Sequence, residues 1–177
     1  MNEIMNSILT RRSIRNFTNE SISEDILKDL VDAAMHAPSG MCKKTWKFTV
    51  ITNIEIIKNL AETIKKVLNR EQYTMYNPVA IIIPSNDREN IFGREDNACA
   101  LQNIFLAAHS YGVGSVWINQ LTNICDNPEI RKILNELEIP ENHVVYGLAA
   151  LGYPDKTKEE RPYREIGEIK FVKWKKE

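Results

Sequence analysis

The sequence predicts a single domain of mixed helices and strands, and three observations support this fold class. Residues 79–83 and 144–152 are apolar on both faces, which is typical of strands inside a sheet. Segments with the periodicity of amphipathic helices separate these strands. The 177 residues are 43% hydrophobic, which is enough for one domain with a sizeable core, and no repeat or linker divides them.

The helices are predicted from apolar residues that recur every three to four positions and from residues that favour helix ends. Ser23, Asn53 and Asn127 are residue types that favour the N-cap position of a helix, whereas Pro38 and Gly112 are expected to end the helices that precede them. The predicted helices are residues 4–10, 21–37, 53–70, 96–111 and 127–137.

The strands are predicted from alternating or continuous apolar runs. They are residues 46–52, 79–83, 115–118 and 144–152, with a further alternation at 169–174. The polar stretch 85–95 is predicted to be the longest irregular segment, of the kind that borders a pocket or moves.

Charge and cysteine content exclude several classes of function. The net charge is −1, so no overall positive field exists to hold a nucleic acid or an anionic membrane. Three scattered cysteines indicate neither a disulfide framework nor a metal site, and they suit a reducing cytoplasm. The first residues lack the pattern of a secretory signal and no run reaches membrane-spanning length, so we expect a soluble, unprocessed, cytoplasmic protein.

Arg11, Arg12, Ser13 and Arg15 place three guanidinium groups and a hydroxyl within five residues. Guanidinium groups bind phosphate through charge-assisted, partly bidentate hydrogen bonds, each worth roughly 1.5–3 kcal/mol. Because the chain is not basic overall, the cluster indicates a site for a small phosphate monoester. The pattern is also compatible with a solvated basic turn or with ion pairs to distant acids.

Four short motifs follow one another along the chain. They are residues 11–17 (RRSIRNF), residues 37–40 (APSG) with 46–48 (WKF), residues 112–118 (GVGSVWI), and residues 152–154 (GYP) before an arginine-bearing tail. In this order and at this spacing they resemble the nitroreductase family of FMN-dependent oxidoreductases. The resemblance runs nearly from end to end.

The resemblance implies an α+β fold with a mostly antiparallel central sheet flanked by helices. It implies one FMN-binding domain over residues 1–177 and an obligate homodimer with FMN at each subunit interface. Residues 153–177 would form an extended tail exchanged between subunits. The apolar alternation near the end of the tail independently suggests docking on a partner's sheet edge.

The resemblance also implies a set of cofactor-binding residues. The set is Arg11, Arg12, Ser13, Arg15, Pro38, Ser39, Gly40, Asn69, Gln72, Asn119, Gln120, Arg161 and Arg164. The N-terminal cluster would hold the phosphate and ribityl side of FMN, with Arg12 contributing a main-chain contact. Arg161 and Arg164 of the tail would add further contacts to the phosphate. Residues 38–40 would lie against the flavin ring from the neighbouring subunit.

The remaining residues of the set would approach the edges of the ring. Asn69, with Gln72 one helical turn later on the same face, would reach the pyrimidine edge, although both also fit polar residues at a helix end. Asn119 and Gln120 would approach the reactive N5 edge, often through backbone N–H groups. Cys42 and Lys44 depart from the amides that many relatives carry there.

The implied activity is the reduction of nitroaromatics, quinones or similar small acceptors by NADH or NADPH. Hydride would pass through flavin N5 in ping-pong turnover, so no catalytic side chain and no metal are expected. His36, His109 and His143 show no pairing with a nucleophile. Two alternatives stay open: an FMN-dependent enzyme resembling the reductive dehalogenases, and a non-catalytic FMN-binding dimer. The first usually carries a lid, and no helical hairpin is inserted between Arg70 and Val79 to form one.

Overall fold

A computed structural model describes residues 2–157 and 167–172 of the chain. The helices in these ranges are α1 (Glu3–Thr10), α2 (Glu24–Met35), α3 (Ile54–Val67), α4 (Gly93–Ser110) and α5 (Pro128–Glu136). The strands are β1 (Trp46–Ile51), β2 (Ala80–Asp87), β3 (Gly114–Ile118), β4 (His143–Val144) and β5 (Leu148–Gly152). Short 3₁₀ turns cover Gly40–Cys42 and Gln120–Asn123.

The strands form one antiparallel sheet in the order β1-β2-β5-β3, with β4 paired to the end of β2. Helices cover both faces. Residues of β2 alternate between two apolar clusters: Ile81 and Ile83 pack toward α3 and α5, whereas Ala80 and Ile82 pack toward α2 and α4. The predicted mixed fold with a mostly antiparallel, helix-flanked sheet is confirmed.

The predicted starts of α2, α3 and α5 are confirmed and share one physical cause, whereas α4 begins at Gly93, three residues before the predicted start. Ser23, Asn53 and Asn127 accept hydrogen bonds from backbone N–H groups of the first turns of α2, α3 and α5. These groups have no partner inside the helix, so a capping oxygen stabilises the start. Just after the C-terminal end of α4, Gly112 adopts φ +70°, a left-handed conformation suited to glycine.

The polar stretch 85–95 is more regular than predicted. Strand β2 continues to Asp87 and α4 begins at Gly93, so most of the expected loop is paired or helical. Polar side chains remain in the buried strand because they have partners: Ser85 Oγ lies 3.0 Å from His143 Nδ1, and Thr45 donates to Asn86 Oδ1 at 2.6 Å.

The predicted strand 144–152 is interrupted, since β4 ends at Val144 and β5 starts at Leu148. Gly147 explains the break. It adopts φ +156°, and a Cβ there would overlap the indole of Trp117. The chain therefore bends around the tryptophan before it rejoins the sheet.

The third helix is shorter than predicted. It ends at Val67, and Asn69 adopts φ +48° while the Asn69 and Arg70 N–H groups bond to carbonyls of the last turn. Gln72 is therefore not one helical turn after Asn69 on the same face, and that expectation is wrong. The same left-handed cap explains why an asparagine stands at position 69.

Over the part of the chain that the structure describes, no helix is long and apolar enough to cross a membrane. Within those same ranges, no cluster of three or more His, Cys, Asp or Glu side chains could hold a metal ion.

Candidate functional site

The arginine cluster lies along an edge of the sheet. Directly after α1, the Ile14 N–H donates to the Ser115 carbonyl of β3 at 3.0 Å, and Ser13 forms a parallel bridge with Ser115. Gly114 permits this close approach, because a Cβ there would lie 2.9 Å from Ile14 Cβ. The backbone of the cluster is thus fixed by β3.

A cavity of about 270 Å³ opens beside this segment. Its described lining includes three cationic side chains, those of Arg11, Arg12 and Lys156, together with residues 112–115 at the start of β3. Burial, and secondarily the charge of Arg12, lowers the pKa of Arg11. A partly desolvated guanidinium beside a second cation favours an anionic ligand.

His109 also lines this cavity, and its role is visible in the structure. The imidazole Nε2 lies 2.8 Å from Thr10 Oγ1, so it joins the end of α4 to the end of α1. The imidazole thereby fixes the position of the residue that precedes the arginine cluster.

The segment 69–77 connects two other predicted parts of the site. The Arg15 guanidinium lies over the Tyr76 ring, 5.8 Å from its centroid, which is within cation–π range. The Tyr73 hydroxyl donates a hydrogen bond to Gln120 Oε1 at 3.4 Å. Burial raises the pKa of Tyr73 well above its ordinary value. The structure therefore brings Arg15 and Gln120 to the same segment that carries the predicted Asn69 and Gln72.

Neither tyrosine was predicted as a site residue from the sequence. Their signal is weak, because a partly exposed tyrosine beside a helix end is common. The unusual backbone of the segment is more informative: besides Asn69, three residues have left-handed φ values, namely Met75, Tyr76 and Asn77 at 53°, 66° and 50°. A segment held in this conformation is a candidate for functional positioning.

The end of β3 leads directly to the other predicted edge residues. Asn119 is exposed and follows the strand, and its Oδ1 accepts a hydrogen bond from Thr122 Oγ1 at 3.0 Å. Gln120 begins the 3₁₀ turn, half-buried beside Tyr73. Their backbone is therefore anchored to the sheet while their side chains border the surface.

Pro38, Ser39 and Gly40 lie between α2 and β1, against the start of α4. The Gly40 N–H donates to Asp96 Oδ1 at 2.8 Å, and Ser39 Oγ donates to Asp96 Oδ2 at 3.1 Å. Gly40 is required by packing, since a Cβ there would overlap the Phe92 ring. This segment is tightly fixed, and its anchor Asp96 was predicted only as a helix start.

A buried set of polar side chains extends this anchor. Asn90 Nδ2 donates to Asp96 Oδ2 at 3.1 Å and to Thr45 Oγ1 at 3.0 Å, and Asn86 Nδ2 donates to Asn97 Oδ1 at 3.2 Å. In the sequence, the signal for this network is the adjacent pair Asp96 and Asn97, two polar residues on the same helix as the apolar run that begins at Ala98.

One chain does not bring the two halves of the predicted site together. Asp96, bonded to Ser39 and Gly40, lies near the start of α4, whereas His109, bonded to Thr10, lies near its end. Thirteen residues at 1.5 Å each separate them by roughly 20 Å along the helix. The two segments also lie at opposite edges of the sheet, because residues 38–40 lead into the edge strand β1, whereas the arginine cluster lies beside the other edge strand, β3.

Two predicted residues, Arg161 and Arg164, lie outside the described ranges, as does Trp174 of the predicted tail strand. Cys42 and Lys44 are exposed, beyond Gly40, with left-handed φ values of 55° and 48°. The structure therefore places both next to the 38–40 segment.

The fold agrees with comparisons to known proteins. The model of the Nitroreductase family matches residues 8–79 and 69–153, which together include both halves of the site. The chain belongs to the Nitroreductase family.

Several relatives resemble the chain over nearly its whole length. A crystal structure of a nitroreductase with bound FMN from Bacteroides fragilis is 37% identical, with a TM-score of 0.92 over 98% of this chain and 100% of that one. A protein of Methanothermobacter thermautotrophicus, provisionally named NADH dehydrogenase/NAD(P)H nitroreductase, is 33% identical over 97% of this chain and 88% of its own. An NADPH-flavin oxidoreductase of Vibrio harveyi is 26% identical over 92% of this chain and 70% of its own.

Proposed function

We propose that the protein is an FMN-dependent oxidoreductase that uses NADH or NADPH to reduce small acceptors such as nitroaromatics or quinones. One observation carries this proposal: the cationic cavity at β3, in which burial lowers the pKa of Arg11. A phosphate monoester would supply the negative charge that such a guanidinium favours. The similar nitroreductase of Bacteroides fragilis binds FMN, which supports the same cofactor here.

The residues present suit this cofactor. Arg11, Arg12, Ser13 and Arg15, named here the phosphate clamp, would hold the phosphate and ribityl side. Residues 38–40, named here the ring wall, would lie against the flavin ring, since proline and glycine present little bulk and the segment is fixed from behind by Asp96. When bound, FMN supplies hydride acceptance and donation at N5.

The protein's contribution is then position and electrostatics. Gln120, oriented by Tyr73, would hold the edge of the flavin ring together with Asn119, and Tyr76 would position the Arg15 guanidinium of the phosphate clamp. Proximity of this kind converts a bimolecular transfer into a step between aligned partners. Arg161 and Arg164 remain proposed as further phosphate contacts, and Asn69 and Gln72 as contacts to the pyrimidine edge.

We propose that the working unit is a homodimer, because the phosphate clamp and the ring wall of one chain lie at opposite ends of α4. Two copies would allow the clamp of one to meet the ring wall of the other. Apolar residues on α1 support a partner surface, since Ile4 and Ile8 are 71% and 45% exposed. The three free cysteines suit a reducing cytoplasm as its location.

The domain boundaries remain as proposed from the sequence, with residues 153–177 acting as an exchanged tail. Among the described strands, β1 is paired on one side only. Beside it, Ile22, Leu27 and Val50 line a groove of about 880 Å³ between α2 and β1. In the tail, Ile169 and Phe171 are 83% and 84% exposed, so they are suited to fill a partner's groove.

The test is the visible spectrum of purified protein, followed by anaerobic addition of NADH or NADPH. We expect a bound-flavin spectrum that bleaches with one of these donors and returns when a nitroaromatic or a quinone is added. Bound flavin that stays oxidised would shift the assignment to a dehalogenase-like or binding-only protein. Protein that takes up no added FMN would contradict the proposal.

A further inference from the structure

A buried carboxyl group lies directly behind the ring wall. Asp96 is 3% exposed and accepts three hydrogen bonds, from the Gly40 N–H at 2.8 Å, Ser39 Oγ at 3.1 Å and Asn90 Nδ2 at 3.1 Å. Buried carboxyl groups are costly unless such partners compensate them. The position of Asp96 in the first turn of α4 adds the favourable end of the helix dipole.

The segment that Asp96 holds has an uncommon backbone. Met41, Cys42 and Lys44 have φ values of 54°, 55° and 48°, a left-handed conformation that residues other than glycine rarely adopt. Such a conformation persists when the surrounding structure determines it. Ser39 Oγ provides one such constraint, because it donates to Asp96 and also accepts from the Lys44 N–H at 3.0 Å.

These bonds also decide which chemical groups of the ring wall remain for a ligand. The only hydroxyl proton of Ser39 and the only N–H of Gly40 are both donated to Asp96 and are therefore not free for a ligand. The ring wall is therefore left with little hydrogen-bonding capacity from these two groups, and it can contact a flat ring mainly by packing.

We infer that Asp96 is a positioning residue that sets the ring wall for the flavin, and that Asn90 orients its carboxyl group. This inference rests on the proposed function. Asp96 acts on the ring side of the site, because its side-chain hydrogen bonds go to Ser39 and Gly40 of the ring wall and to Asn90, and none goes to a residue of the phosphate clamp. Replacing it should weaken binding of the flavin ring while leaving recognition of the phosphate intact.

The experiment compares FMN with riboflavin, which has the same ring and no phosphate. Asp96→Asn keeps the side-chain shape, removes the charge and turns one acceptor into a donor facing Asn90 Nδ2. We expect its dissociation constants for FMN and riboflavin to rise by the same factor, tenfold or more. Arg11→Ala should instead weaken FMN selectively and bring the two affinities together.

The matched control is Asn103→Ala in the same helix. Asn103 Nδ2 donates to the Ala33 carbonyl at 2.9 Å and so joins α4 to α2 without contact to the ring wall. The Asn103→Ala substitution should lower the melting temperature of the protein while changing both flavin affinities less than twofold. If Asp96→Asn does not fold, Ser39→Ala removes one of the three donors and should raise both constants by a common factor of about three.

Two results would overturn the inference while the proposed function stands: unchanged flavin affinities in a folded Asp96→Asn protein, or a loss confined to FMN. Wild-type protein that binds neither flavin would overturn the proposed function, and the inference with it.

Discussion

Arg11 illustrates how a single residue can indicate a ligand. It follows α1 directly and lines a cavity together with Arg12 and Lys156. Burial and the neighbouring charge both lower the pKa of Arg11, so the folded chain brings cations together at an electrostatic cost. A bound phosphate would offset that cost.

We predict that the double substitution Arg11→Ala and Ser13→Ala gives folded protein that has lost most of its FMN. Loss of two charge-assisted contacts should weaken binding by about 3–5 kcal/mol. The measurement is a fluorescence titration with FMN. Lys58→Ala, a surface cation paired with Glu55, controls for the change in net charge and should bind normally. Full FMN occupancy in the double variant would reject the phosphate clamp.

His143 gives a prediction about pH. Burial is the main reason why the pKa of His143 is lowered; Lys47 and Arg131 add to this, whereas Asp87 opposes it. Ser85 holds the ring at 3.0 Å. The His143 imidazole binds a proton more readily in the unfolded chain than in the folded one. Above about pH 6.5 this residue therefore does not reduce the free energy of unfolding, and that free energy decreases as the pH falls below this value.

Urea unfolding at pH 7.5 and pH 5.5 tests this prediction. Other acidic and basic groups titrate in the same range, so the comparison is with His143→Gln, which lacks the titrating ring. The wild-type protein should lose more unfolding free energy between the two pH values than the variant does. Equal losses would show that His143 protonates as easily in the folded chain as in the unfolded one.

At the scale of elements, local signals predicted helix starts better than strand limits. A cap depends on a few neighbouring residues, so Asn53 and Asn127 were recognisable from the sequence. Strand β2 was underestimated because Ser85 and Asn86 look like loop residues until His143, Thr45 and Asn97 are seen to satisfy them. The break at Gly147 depends on Trp117 from a different strand, which no local pattern contains.

The cap of α3 can be tested directly. Asn53 Oδ1 accepts from the Glu55 and Ile56 N–H groups at 3.0 and 3.3 Å. Asn53→Ala should therefore reduce the free energy of unfolding by about 1 kcal/mol. Asn59→Ala, an exposed position inside the same helix, should be neutral or slightly stabilising because alanine favours helices. A neutral Asn53→Ala would show that packing alone fixes the start of α3.

At the scale of the whole molecule, the sequence predicted the parts of the site better than their assembly. Arg15 and Gln120 were named from motifs, and the structure brings both to the segment 69–77. Tyr73, Tyr76 and Asp96 were missed as site residues because their relevance arises from contacts between elements far apart in the chain. The resemblance implied a ring wall from the neighbouring subunit, whereas the distance between the phosphate clamp and the ring wall of one chain along α4 is visible only in the structure.

In the proposed dimer, each flavin site combines the phosphate clamp of one chain with the ring wall of the other. Two variants that each bind FMN poorly test this arrangement: Arg11→Ala with Ser13→Ala in one chain, and Gly40→Leu, which would overlap Phe92, in the other. Mixed dimers carrying a different affinity tag on each chain can be isolated and titrated with FMN.

We predict that each mixed dimer regains one site of wild-type affinity, because one of its two sites combines an intact phosphate clamp with an intact ring wall. The parent variants alone should remain weak. A mixed dimer that binds no better than its parents would contradict a shared site, since it would mean that clamp and wall act within the same chain or that neither forms the site.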